Sequence, residues 1–88
     1  MILQFTPQAI EDYTYWKTHD KRKADRIKKL IGHIMAEPFA GIGKPEPLLF
    51  DLKGYWSRRI DREHRLVYKV TETALIIASC RVHYEKRA

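Results

Sequence analysis

Ile2 to Phe5 form a short apolar run that stops at Thr6-Pro7. This predicts a strand running into a helix, with Thr6 at the N-cap and Pro7 in the first helical position, where its missing N–H costs nothing. Ala9, Tyr13 and Trp16 then recur at the i, i+4, i+7 spacing of a buried stripe, so the helix reaches about Thr18. Asp20 is placed to cap a second helix ending near Ala36. One face of it carries Ala24, Ile27, Ile31, Ile34 and Met35, while Lys21, Arg22, Lys23, Arg26, Lys28 and Lys29 crowd the rest. Two antiparallel helices joined by a tight turn follow.

Glu37 to Pro47 holds too many Gly and Pro residues for a regular element and reads as a loop. Beyond it the period changes to that of strands, at Leu48 to Leu52, Tyr55 to Ile60, His64 to Val70 and Leu75 to His83. The connections are short, which favours an antiparallel meander. The expected fold class is α+β, one domain over residues 1–88, with the N-terminal strand and the two-helix hairpin packed on an antiparallel β-sheet.

Residues two apart on a strand point the same way, which sorts the faces. Trp56 and Ile60, then Leu66, Tyr68 and Val70, are expected to meet the helices. The opposite face then carries Ser57 and Arg59, Arg65, Val67 and Lys69, and Ser79, Arg81 and His83. Arginines on neighbouring strands repel, so this face calls for an anion.

Composition strengthens that expectation. The 88 residues suit one domain, and 44% hydrophobic with 32% charged residues describe an ordinary folded chain rather than a disordered or fibrous one. Seventeen Lys and Arg against eleven Asp and Glu leave a formal charge of +6, which in so small a domain suggests a polyanionic partner. The lone cysteine, Cys80, sits in an apolar run and reads as a small buried hydrophobe. One cysteine allows no internal disulfide, no stretch is long enough to span a bilayer and the N-terminus lacks signal-peptide character, so a cytoplasmic protein without membrane contact is expected.

Four histidines without ligand spacing and a single cysteine offer no zinc pattern, and P-loop, GxSxG and dinucleotide motifs are lacking, so neither metal nor cofactor is expected. A phosphodiester can still be cut by side chains if a base takes the ribose 2′-OH proton, a cation stabilises the phosphorane and an acid protonates the leaving 5′-oxygen. Glu46, held between two prolines, Arg65 and His83 are one candidate for each part. A non-catalytic RNA-binding module would need only the basic helix and the arginine-rich face, and would leave this set unexplained. A DNA-binding co-regulator is the other alternative, although no helix-turn-helix pattern stands out.

Four motifs in order, Gly43-Lys44-Pro45-Glu46-Pro47-Leu48, Tyr55-Trp56-Ser57-Arg58-Arg59-Ile60, Glu63-His64-Arg65-Leu66-Val67-Tyr68 and Cys80-Arg81-Val82-His83-Tyr84, resemble the YoeB toxins of the RelE superfamily. These are bacterial toxins of type II toxin-antitoxin pairs, and the similarity covers nearly the whole chain. The resemblance implies a RelE-like, microbial RNase-like fold and ribosome-dependent endoribonuclease activity, with mRNA cut in the A site of the 70S ribosome. On matching positions it implies Glu46 as general base, Arg65 as transition-state cation, His83 as general acid and Tyr84 as the residue that orients or stacks on substrate. Arg59, Arg81 and Lys44 become substrate-binding candidates. It further implies a YefM-like antitoxin, a toxin able to form a homodimer, and contact with operator DNA only through the antitoxin complex. Where some relatives carry a basic residue after the Pro-Glu-Pro-Leu motif, this chain has Leu49 and Phe50.

Overall fold

The Thr6 hydroxyl accepts the Ala9 N–H and Pro7 opens the first helix, as the Thr-Pro pair predicts. In the computed structural model, which describes residues 1–81, β1 (Ile2–Phe5) leads into α1 (Pro7–His19) and α2 (Lys21–Ala36). Then come β2 (Glu46–Pro47), a 3-10 turn at Phe50–Leu52, β3 (Trp56–Arg59), β4 (Arg65–Val70) and β5 (Ala74–Ser79). The five strands lie in the order β1-β5-β4-β3-β2. β2 to β5 form the expected antiparallel meander, while β1 joins its edge parallel to β5, making the sheet mixed.

The helices cover one face. Ala9, Trp16, Ala24, Ile27, Leu30, Ile31 and Ile34 pack there against Ile60, Leu66, Tyr68, Leu75, Ile77 and Cys80, with Trp56, Val70 and Tyr13 at the margin. The core-facing residues of α2 need one correction: Leu30 is fully buried and Met35 is exposed, because the apolar stripe drifts around the helix by Met35. A second concerns Asp20, which precedes α2 but makes no side-chain cap bond. Its carboxylate pairs instead with Lys23 at 3.3 Å, and Lys23 also reaches Asp61 at 3.1 Å.

That second contact fixes a turn that matters. Asp61 accepts the backbone N–H groups of Glu63 at 2.7 Å and His64 at 2.6 Å, closing the β3–β4 connection as an Asx-type turn. Lys23 therefore staples α2 to the hairpin that carries Arg59 and Arg65. Burial raises the Asp61 carboxyl, but the two N–H groups and Lys23 outweigh it and hold it below the ordinary carboxylate range.

The strand expected at Leu48 to Leu52 does not form. β2 ends at Pro47, the Leu48 N–H still bonds the Tyr55 carbonyl, and the chain then turns at Phe50, whose φ of 56° no strand accommodates. β5 is also shorter than expected, and residues 82–88 lie outside the described ones. Between β4 and β5 the register slips: Tyr68 faces Ile77 but Val67 faces Ser79, so Ala78 is an extra, bulged residue. The Thr6 hydroxyl donates to the Ala78 carbonyl at 2.7 Å, giving the bulge a fixed partner.

Candidate active site

Cross-strand register assembles the face away from the helices. Glu46 pairs with Ser57, Ser57 with Val67, and Val67 with Ser79, so one row of side chains crosses four strands. In the next row Arg59 lies directly opposite Arg65. The bulge at Ala78 is what brings Ser79 into this row: with Leu75 and Ile77 in the core, unbroken alternation would have turned Ser79 inward.

Ser57 and Val67 form a closed floor, 0% and 3% exposed, around which Glu46 and Arg59 are exposed and Arg65 and Lys69 partly so. Lys69 packs its ammonium 5.3 Å from the centre of the Tyr55 ring. Among the described residues neither Arg59 nor Arg65 has an acidic partner, and the Arg65 Nε is buried without a hydrogen bond. Two guanidinium groups opposite one another without compensation favour an anion between them.

The adjoining arginine has a different use. Alternation puts Arg58 between Trp56 and Ile60 on the helix-facing side, opposite to Arg59. It is fully buried, and its fork donates to the carbonyls of Glu37 at 2.7 Å, Ala40 at 2.8 Å and Ile42 at 3.0 Å, while Nε donates to the Tyr68 hydroxyl at 3.2 Å. Tyr68 in turn donates to the Pro38 carbonyl at 2.8 Å. The segment leading to Glu46 is thus tied to β3 and β4 by side chains. Gly43 completes the attachment: its carbonyl accepts the Arg59 N–H at 2.7 Å, and at φ 86° a Cβ there would stand 2.9 Å from Leu30 Cδ2. Lys44 follows with a left-handed φ of 52°, turning the exposed chain into Pro45-Glu46-Pro47.

Arg81 departs from the expected set. The strand ends at Ser79, and the Arg81 guanidinium lies 3.5 Å above the centre of the Tyr15 ring, on α1, with His19 stacked on that ring at 4.1 Å. Its head is engaged by the helix rather than set beside Arg65. His83 and Tyr84 lie outside the described residues. Cys80 is a core residue, as its apolar surroundings suggest; burial, with the Asp12 carboxylate, pushes its thiol up to about 12. No group of three or more His, Cys, Asp or Glu suited to a metal ion occurs among the described residues, and no described helix is long and apolar enough to cross a membrane.

Residues 5–84 match the family model of the YoeB-like toxin of bacterial type II toxin-antitoxin system. The chain belongs to the YoeB-like toxins. It is 52% identical to Toxin YoeB of Streptomyces coelicolor over 84 residues, covering 96% of this chain and all of that one. Among solved structures, the YoeB/ParE toxin from Agrobacterium tumefaciens superposes with a TM-score of 0.93 at 46% identity, over 96% of this chain and all of that one. The YoeB of Staphylococcus aureus, 47% identical, superposes at 0.90 as a dimer and at 0.87 in a heterotetrameric complex with YefM, each time over 96% of this chain and 98% of that one. The Arg58 fork and Gly43 thus fasten to the sheet the segment that leads into Lys44-Pro45-Glu46-Pro47.

Proposed function

We propose that this YoeB-like toxin is a ribosome-dependent endoribonuclease of the cytoplasm that cuts mRNA in the A site and so stops translation. The observation that carries the reading is the register that sets Glu46 in the row beside the uncompensated Arg59–Arg65 pair. In this mechanism the Glu46 carboxylate takes the proton from a ribose 2′-OH, and the oxygen attacks the adjacent phosphorus. Arg65 stabilises the charge on the phosphorane, where fixed cations act most strongly. His83 gives its proton to the departing 5′-oxygen, leaving a 2′,3′-cyclic phosphate and a 5′-hydroxyl. Tyr84 orients or stacks on the substrate, and Arg59, Arg81 and Lys44 hold its phosphates, Arg81 after leaving the Tyr15 ring. Base, cation and acid are all side chains, so the chemical step needs no divalent ion.

The arginine-rich face also suits the partners of its relatives. A YefM-like antitoxin with an acidic segment across Arg59 and Arg65 would block the site, a homodimer is consistent with the S. aureus protein, and operator contact would come through the antitoxin complex.

Mapping 5′-ends on translated messages after induction separates cutting from binding alone. Cleavage of a minimal RNA, or of ribosome-bound mRNA in cobalt-hexammine buffer, tests the chemistry. Cyclic phosphate and 5′-hydroxyl ends are expected with divalent ions absent. Products with 3′-hydroxyl ends, or binding without cleavage, would sink the mechanism.

A further inference from the structure

Ser57 is the least explained polar residue of the face. It is fully buried, yet its Oγ has no hydrogen-bond partner among the described residues. Buried hydroxyls rarely stay unpaired, and those that do call for a functional account. Its cross-strand neighbours are Val67, which offers nothing polar, and Glu46, whose side chain is exposed and makes no bond to it in this structure. Directly paired residues on adjacent strands hold their Cβ atoms roughly 4.5–5.5 Å apart, within reach of a hydroxyl–carboxylate bond after a rotamer change in Glu46. The second unpaired atom of the face, Arg65 Nε, belongs to the diagonal neighbour, and an N–H there suits the lone pairs that Ser57 keeps when its proton is donated.

We propose that Ser57 is a positioning residue for Glu46: as RNA binds, its hydroxyl donates to the Glu46 carboxylate and holds it aimed at the ribose 2′-OH. The inference rests on Glu46 being the general base. Substrate brings the phosphate that satisfies Arg59 and Arg65, and Glu46 swings from solvent onto Ser57, so the unpaired hydroxyl of the free protein finds its partner in the working complex. Among the described residues, the other ionisable groups sharing the face are Tyr55, Arg59, Arg65 and Lys69, with Lys44 two residues before Glu46; none of these cations has an oxygen to offer the Ser57 proton.

The test is single-turnover cleavage of mRNA on programmed ribosomes as a function of pH, with the dissociation constant and thermal unfolding measured separately. Ser57→Ala removes a hydroxyl that bonds nothing in the free protein, so its melting temperature should be unchanged or higher. Its cleavage rate should fall about tenfold, the worth of one charge-assisted hydrogen bond, with ribosome affinity unchanged. The acidic limb of its pH profile should move to higher pH, because a carboxylate that loses a donor is protonated more easily. In a Glu46→Ala background the same change should cost nothing more. A Ser57→Ala protein with normal rate and profile, one that loses affinity instead of rate, or one that is destabilised would overturn the proposal. Near-normal cleavage by Glu46→Ala would remove the base assignment and this inference together. A slow Glu46→Ala beside a normal Ser57→Ala removes the inference alone.

Discussion

Replacing Arg58 by lysine tests whether a buried fork, rather than a buried charge, holds the loop before Glu46. Arg58 is fully buried without an acidic partner among the described residues, so its desolvation is offset by oxygens: three backbone carbonyls and the Tyr68 hydroxyl. A hydrogen bond from a charged donor contributes about 1.5–3 kcal/mol. Lysine keeps the charge but is a single point on a flexible stem, and it cannot serve carbonyls of Glu37, Ala40 and Ile42 that surround a planar group. Loss of about two bonds puts the destabilisation of Arg58→Lys at about 3–5 kcal/mol, a large share of the roughly 5–15 kcal/mol that holds a small domain together. With a urea m-value of about 1 kcal/mol/M for so short a chain, the midpoint should fall by roughly 3–5 M. Arg58→Met should be less damaging than Arg58→Lys, since it leaves carbonyls unpaired but no stranded cation. Urea titration followed by tryptophan fluorescence, with Trp16 buried in the core as reporter, gives both values. An Arg58→Lys protein within about 1 kcal/mol of the parent would refute the account, because charge alone would then suffice.

Two further outcomes follow from the backbone and the core. Phe50 is 83% exposed at a left-handed φ of 56°, a conformation that costs a side chain about 1–2 kcal/mol. Phe50→Gly should therefore stabilise the fold by about 0.5–1 kcal/mol after the extra entropy of glycine, and a lower urea midpoint would contradict it. The Cys80 thiol, pushed by burial to about 12 from an ordinary value of 9.0, makes the fold alkali-sensitive. Between those values the unfolded chain gives up a proton that the folded one keeps, so stability is full below about pH 9 and is lost as pH rises, by up to about 1.4 kcal/mol per unit. Tyr13 and Tyr68, also raised by burial, add to the loss at higher pH, so the comparison is with Cys80→Ala. An alkaline slope identical in the two proteins would rule out the thiol as its source.

Much of this protein was written in local pattern. Thr6-Pro7 specified the start of α1, helical spacing marked Ala9 and Trp16 as core, and alternation assigned Leu66 and Tyr68 to one side of the sheet and Arg59 and Arg65 to the other. The four motifs identified the family. These signals are legible because they depend on residues a few positions apart. Short connections predicted the meander of β2 to β5, but period-two alternation names a face and not a partner, so local pattern did not place β1. Parallel pairing of β1 with β5 comes from contacts spanning most of the chain, and the slip at Ala78, which puts Ser79 on the face of Ser57 although Leu75 and Ile77 are in the core, shows only in the β4–β5 register. The same holds for Arg58, one position from Arg59: a strand's pleat sends neighbouring side chains to opposite faces, and only the packed loop supplies the carbonyls, 16 to 21 residues away, that make a buried cation tolerable.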